Sequence, residues 1–202
     1  MKDPQDHARD LSEIRSMMER SSKFVWLSGW AGIIAGFYAL TGAYIAYSVF
    51  DFNPDAIVYT PSSGILNVVL LAVVICVLAA ATATLLSYNR AKHRGEKLWN
   101  ATSRRLLMNM AVPFFTGGIL ILILIAKGLM GWIAPFSLIF YGLALYNASK
   151  YTYGEVRIFG IVQIILGLIS AYFVEYGLLI WAAGFGIVHI IYGIYIHFKY
   201  EK

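Results

Sequence analysis

Charge is what this chain has least of. Asp, Glu, Lys and Arg make up 13% of its 202 residues, where roughly 25% is usual in a soluble domain. Cys76 is the single cysteine, so neither an intrachain disulfide nor a thiolate metal cluster can form. The long uncharged stretches hold no paired carboxylates, no HExxH pattern and no nucleophile beside a base. No catalytic, cofactor-binding or metal-binding residues are therefore expected, and no cofactor. What is abundant is apolar: 59% of the side chains are hydrophobic and the mean hydropathy is +0.68. A small soluble fold has too little interior to bury that excess, and a disordered chain needs the opposite composition. Both classes are excluded, and the composition points to a bilayer.

A membrane-spanning helix needs about 20 predominantly apolar residues. Six stretches qualify, at about 24–50, 64–88, 106–126, 128–149, 156–174 and 177–198. Barrel strands would alternate apolar and polar residues in much shorter segments, and these do not. The first apolar run is too long for a signal-peptide core and lacks a small-x-small cleavage site, so no cleavable leader is expected. The predicted fold is an all-α polytopic membrane protein, a bundle of six transmembrane helices over residues 24–202. Ahead of it, Ala8, Leu11, Ile14, Met17 and Met18 recur at helical spacing, predicting a short amphipathic cytoplasmic helix within 1–23. Its five basic and five acidic residues fit a helix packed on the bundle or on a protein partner better than a basic membrane anchor.

Basic residues flank membrane spans on the cytoplasmic side. Segments 1–23, 89–105, 150–157 and 199–202 hold fifteen of the sixteen Lys and Arg; the opposite turns hold Lys127 with Asp51, Asp55 and Glu175. Both termini are thus expected in the cytoplasm. This placement accounts for the net charge of +5 without nucleic acid as a partner. Arg90, Lys92, Arg94, Lys97, Arg104 and Arg105 cluster beside two spans, within a segment that reads as two helix extensions broken near Gly95. They are candidate contacts for anionic lipid headgroups, although a topology signal alone is the leading account of them. Asn100-Ala101-Thr102 fits a glycosylation pattern but falls on the cytoplasmic side.

Small residues mark close helix contacts in lipid. Ser28, Gly32, Gly36, Ala39 and Ala43 form a stripe on the first span, and Ala72, Cys76, Ala80 and Thr84 one on the second. These two stripes are expected to meet, with a homodimer through the same faces as the alternative. Pro113, just before Gly117-Gly118, is expected to kink the third span. Phe159–Gly167 and Phe185–Gly193 are identical at seven of nine positions, and the varying central position is Gln163 in one and His189 in the other. Each shares a helix face with glycines. Gln163 and His189 are therefore the candidate intramembrane polar site, expected to face each other at similar depth through a direct or water-bridged hydrogen bond.

The run Asn147-Ala148-Ser149-Lys150-Tyr151-Thr152, through Gly184-Phe185-Gly186-Ile187-Val188-His189-Ile190-Ile191-Tyr192-Gly193, to Phe198-Lys199-Tyr200-Glu201 resembles uncharacterised six-helix inner-membrane proteins of Bacteroidetes-type bacteria. The opening Leu11-Ser12-Glu13-Ile14-Arg15-Ser16-Met17-Met18 is similar too. The resemblance implies a bacterial inner membrane and carries over no site. The functional expectation is a non-catalytic sensory, scaffolding or accessory membrane module. A small transporter or channel with its site near Gln163 and His189 is the alternative, and an intramembrane enzyme is disfavoured by the missing chemistry.

Overall fold

A computed structural model describes residues 28–52, 54, 64–93, 95 and 98–201. The predicted helix in 1–23 lies outside the described residues, as do Asp55, Arg94 and Lys97. Among the described residues the elements are helical throughout: α1 (Gly29–Ser48), α2 (Ile65–His93), α3 (Ala101–Ala126), α4 (Ile133–Ala148), α5 (Glu155–Tyr172) and α6 (Val174–Tyr200). All but α4 are long and apolar enough to cross a membrane. Helix α4 has 16 residues, flanked by 3-10 turns at Met130–Trp132 and Ser149–Tyr151.

The break predicted near Gly95 falls between two helices. Helix α2 runs on to His93, Gly95 takes a left-handed φ of 70°, and α3 starts at Ala101. Asn100 sets that start: its side chain accepts the Thr102 and Ser103 N–H groups while Ser103 Oγ accepts the Asn100 N–H. This reciprocal cap satisfies donors the first helical turn would otherwise leave open. Pro113 does not break α3, which continues through it; the proline is buried against the bundle.

Two antiparallel pairs form the centre, α4 with α5 and α1 with α6. Both rest on backbone contact at glycine. A Cβ on Gly160 would lie 2.7 Å from the Gly142 carbonyl oxygen, and one on Gly142 2.6 Å from that of Gly160. A Cβ on Gly193 would lie 2.5 Å from the Gly29 carbonyl, and one on Gly36 2.6 Å from that of Gly186. The glycine stripe of the first span is therefore an interface, but with the sixth span. Expected contact through Ala72 and Ala80 does not form: Ala72, Cys76, Ala80 and Thr84 are all exposed. The reason is the partner's surface. Gly186 and Gly193 let two backbones touch, which alanine and threonine on α2 cannot match. Helix α2 instead meets α1 through Ile75 against Gly42 and a Tyr38–Thr82 hydroxyl contact of 3.4 Å.

The repeated nonapeptides acquire a shared structural role here. Each seats a neighbouring helix on its glycines, α4 on Gly160 and Gly167, α1 on Gly186 and Gly193. The glycine faces thus turn outward to α4 and α1, not toward each other as expected.

Candidate functional site

The polar site lies where α4, α5 and α6 converge, and its origin is an irregularity in α6. Residues Ala183–Val188 form a π-helical turn between two α-helical stretches. Gly184 and Gly186 supply the reason. Glycine favours the α-helix least of all non-proline residues, and both sides of the turn are crowded. A Cβ on Gly184 would meet Leu138 and Gln163, and one on Gly186 would meet Leu40. Such wide turns disturb the regular carbonyl ladder and recur at functional positions.

The Gly184 carbonyl accepts two side chains. Gln163 Nε2 donates to it at 2.8 Å and His189 Nδ1 at 3.0 Å. A carbonyl only accepts, so the imidazole proton sits on Nδ1. In the neutral ring Nε2 is then an acceptor, and the Tyr141 hydroxyl stands 2.9 Å away to donate to it. The chain of donation runs from Tyr141 to His189 to Gly184, with Gln163 joining from the other side. Gln163 is 0% exposed and His189 6%. Aromatic rings close the imidazole in: Tyr141 and Phe185 stack on it at 5.4 Å and 5.7 Å, and Phe159 meets it edge-on at 4.7 Å.

The expected direct bond between Gln163 and His189 is not made; they share an acceptor. Side chains on a helix lean toward its N-terminus, so the His189 ring reaches back to Gly184, which stands level with Gln163. The sequence reading missed Tyr141. The signal available was a tyrosine deep in an apolar span, whose hydroxyl needs a partner.

A second polar group ties one end of the bundle. Glu201 accepts the Gly29 N–H at 2.7 Å, Arg90 Nη1 at 2.5 Å and His197 Nδ1 at 2.6 Å. Ser28 makes no side-chain cap on the α1 backbone, so a carboxylate from the far end of the chain occupies that helix N-terminus, where negative charge is favoured. Arg90 Nη2 also donates to the Tyr200 carbonyl at 2.7 Å, satisfying the C-terminal end of α6. The start of α1 and the ends of α2 and α6 are thereby clasped together. Nearby, Lys199 and the Tyr200 hydroxyl hold Glu155 at the start of α5.

Of the six basic residues expected at headgroups, Arg90 is taken up by this clasp. Lys92, Arg104 and Arg105 are exposed, and Arg94 and Lys97 are outside the described residues. Arg104 lines a shallow depression with Trp99, Asn100 and Ala101. Among the described residues no three of His, Cys, Asp and Glu gather as metal ligands would. No family model matches the chain, and neither a curated protein nor a solved structure matches it.

Proposed function

We propose that the chain is a six-span protein of a bacterial inner membrane with both termini cytoplasmic, serving as a non-catalytic sensory, scaffolding or accessory module. The observation that carries this reading is the double engagement of α6: one helix holds both the His189 cluster midway along it and the Glu201 clasp at its end. A change at the cluster would travel along α6 to the clasp, and so to the start of α1, where residues 1–27 join. Rigid helices with two arrangements are the physical carriers of such coupling. The resemblance to inner-membrane proteins and the basic residues at the clasp end support the assignment of sides.

Sidedness is tested by single cysteines in a Cys76→Ala background. Lys127→Cys should react with an impermeant maleimide in intact cells and Lys92→Cys should not; the reverse pattern would invert the topology. Coupling is tested by His189→Ala. Intramembrane hydrogen bonds are worth only about 0.6 kcal/mol on average, so the variant should fold. Amide exchange at Gly29–Ala31 should nonetheless rise relative to Gly118→Ala, whose added methyl meets no atom within 4 Å. Unchanged exchange at the α1 start would remove the relay. A small transporter or channel is the second reading, favoured by Gln163 Oε1, which is buried without a hydrogen-bond partner.

A further inference from the structure

Helices α2 and α3 follow one another in the chain but are not a packed pair. Among the described residues, α2 lies on α1 and α3 lies on α4. The two meet at the clasp end, where Ala91 is buried under Leu98 and Leu106. Beyond that point they part. Cys76 on α2 is exposed, yet it stands within electrostatic reach of the half-buried Tyr141 on α4. The Cys76 face of α2 therefore looks across the opening toward α4. Ala80 and Thr84 follow Cys76 at intervals of four, so they share that face, and both are exposed as well. Thr84 turns its hydroxyl back to the Ala80 carbonyl at 2.8 Å, which leaves the face apolar.

The clasp end of this opening is cationic. Lys92 in the last turn of α2, with Arg104 and Arg105 near the start of α3, is exposed, and no ion pair among the described residues engages any of the three. Arg90 and Lys199, in contrast, are held by carboxylates. The first turn of α3 carries no acid, so its positive dipole end adds to the local field. Trp99 is 68% exposed and lines the depression with Asn100, Ala101 and Arg104; indole rings settle at headgroup level. The hydrocarbon of one leaflet is about 15 Å deep, or about ten residues of helix. A chain whose headgroup sits beside Lys92 therefore runs past Thr84 toward Ala80. A phospholipid joins those two parts in that order, and three uncompensated cations select an anionic one.

We infer that the opening between α2 and α3 is a phospholipid site selective for anionic headgroups: the phosphate lies among Lys92, Arg104 and Arg105 beside the Trp99 ring, and an acyl chain lies along the Ala80–Thr84 face of α2. It goes beyond the module reading and stands without it, since it requires neither coupling along α6 nor either assignment of sides.

The test is photo-crosslinking of the whole chain in phosphatidylcholine nanodiscs. They carry a trace of phosphatidylglycerol or of phosphatidylcholine with a diazirine in its acyl chain, and the labelled residues are mapped by mass spectrometry. Insertion around Ala80, Thr84 and Leu85 should be several-fold greater from the phosphatidylglycerol probe. Ile165 and Leu168, exposed on α5, should take up both probes equally. The double variant Arg104→Gln, Arg105→Gln should bring the α2 ratio down toward the α5 value. Lys92→Gln, read in the same way, covers the case in which the double variant is poorly folded. Lys150→Gln removes an exposed cation at the same end of the bundle and should leave the ratio unchanged. Equal ratios on α2 and α5 would overturn the site, as would a ratio that neither variant lowers. A loss as large in Lys150→Gln would also overturn it, by reducing the preference to surface charge in general.

Discussion

Gly193→Leu is expected to cost this protein more stability than any change at its polar groups. The first atom added is already too much: a Cβ there would lie 2.5 Å from the Gly29 carbonyl oxygen and 2.6 Å from the Ile33 nitrogen. Both are backbone atoms of α1, so no side chain can rotate away, and the helices must separate. Overpacking a core costs about 1–3 kcal/mol and sometimes more. Here it exceeds that range, because separation also undoes contacts at Gly29, Gly32 and Gly36. In lipid no hydrophobic force presses the pair back together. Thermal denaturation in detergent should show a large fall in Tm for Gly193→Leu and little change for Gly118→Leu. Equal effects at Gly193 and Gly118 would remove the argument from backbone contact.

That contrast also marks where the sequence could and could not be read. The small residues at Gly32 and Gly36 announced a close contact, because nothing else explains glycine in an apolar helix. They did not announce the partner. A stripe of small residues fits any other stripe, and α2 offered one at the right spacing; α6 prevailed because its glycines permit backbone contact and the alanines of α2 do not. The polar pair was legible for a similar reason. Gln163 and His189 stood out as polar residues flanked by glycine in apolar helices, and both are indeed buried on one acceptor. The acceptor itself was invisible, since a backbone carbonyl at a π turn leaves no mark in the residue types beyond Gly184-Phe185-Gly186. Helix α3 runs unbroken through Pro113, and the π turn falls in α6, which contains no proline. The clasp was least legible of all, because Arg90 and Glu201 are 111 residues apart and each looks like an ordinary helix-end charge.

The clasp carries the other large expected effect. Glu201→Ala would leave the Arg90 guanidinium and the Gly29 N–H facing each other without the carboxylate that joins them. Removing one partner of a sheltered charge pair costs far more than the pair is worth against apolar replacements, because the remaining charge stays uncompensated. An exposed pair is worth only about 0–1 kcal/mol, so Lys199→Ala provides the contrast on the same helix. Tm should fall clearly for Glu201→Ala and slightly for Lys199→Ala, and amide exchange should rise at the start of α1 only in the former. The pH dependence has a definite sign. Burial raises the Glu201 carboxyl, but hydrogen bonds from His197 and Gly29 and the charge of Arg90 outweigh it, leaving the group below its ordinary value of 4.5. An unfolded chain therefore takes up this proton at higher pH than the folded one. The clasp's contribution is fully present above the ordinary carboxylate value and drains away as the pH falls through the lowered one. Glu201→Gln, which cannot titrate, should start less stable and lose less on acidification across that window. Parallel Tm–pH curves for the two proteins would show that the carboxylate does not hold these helices.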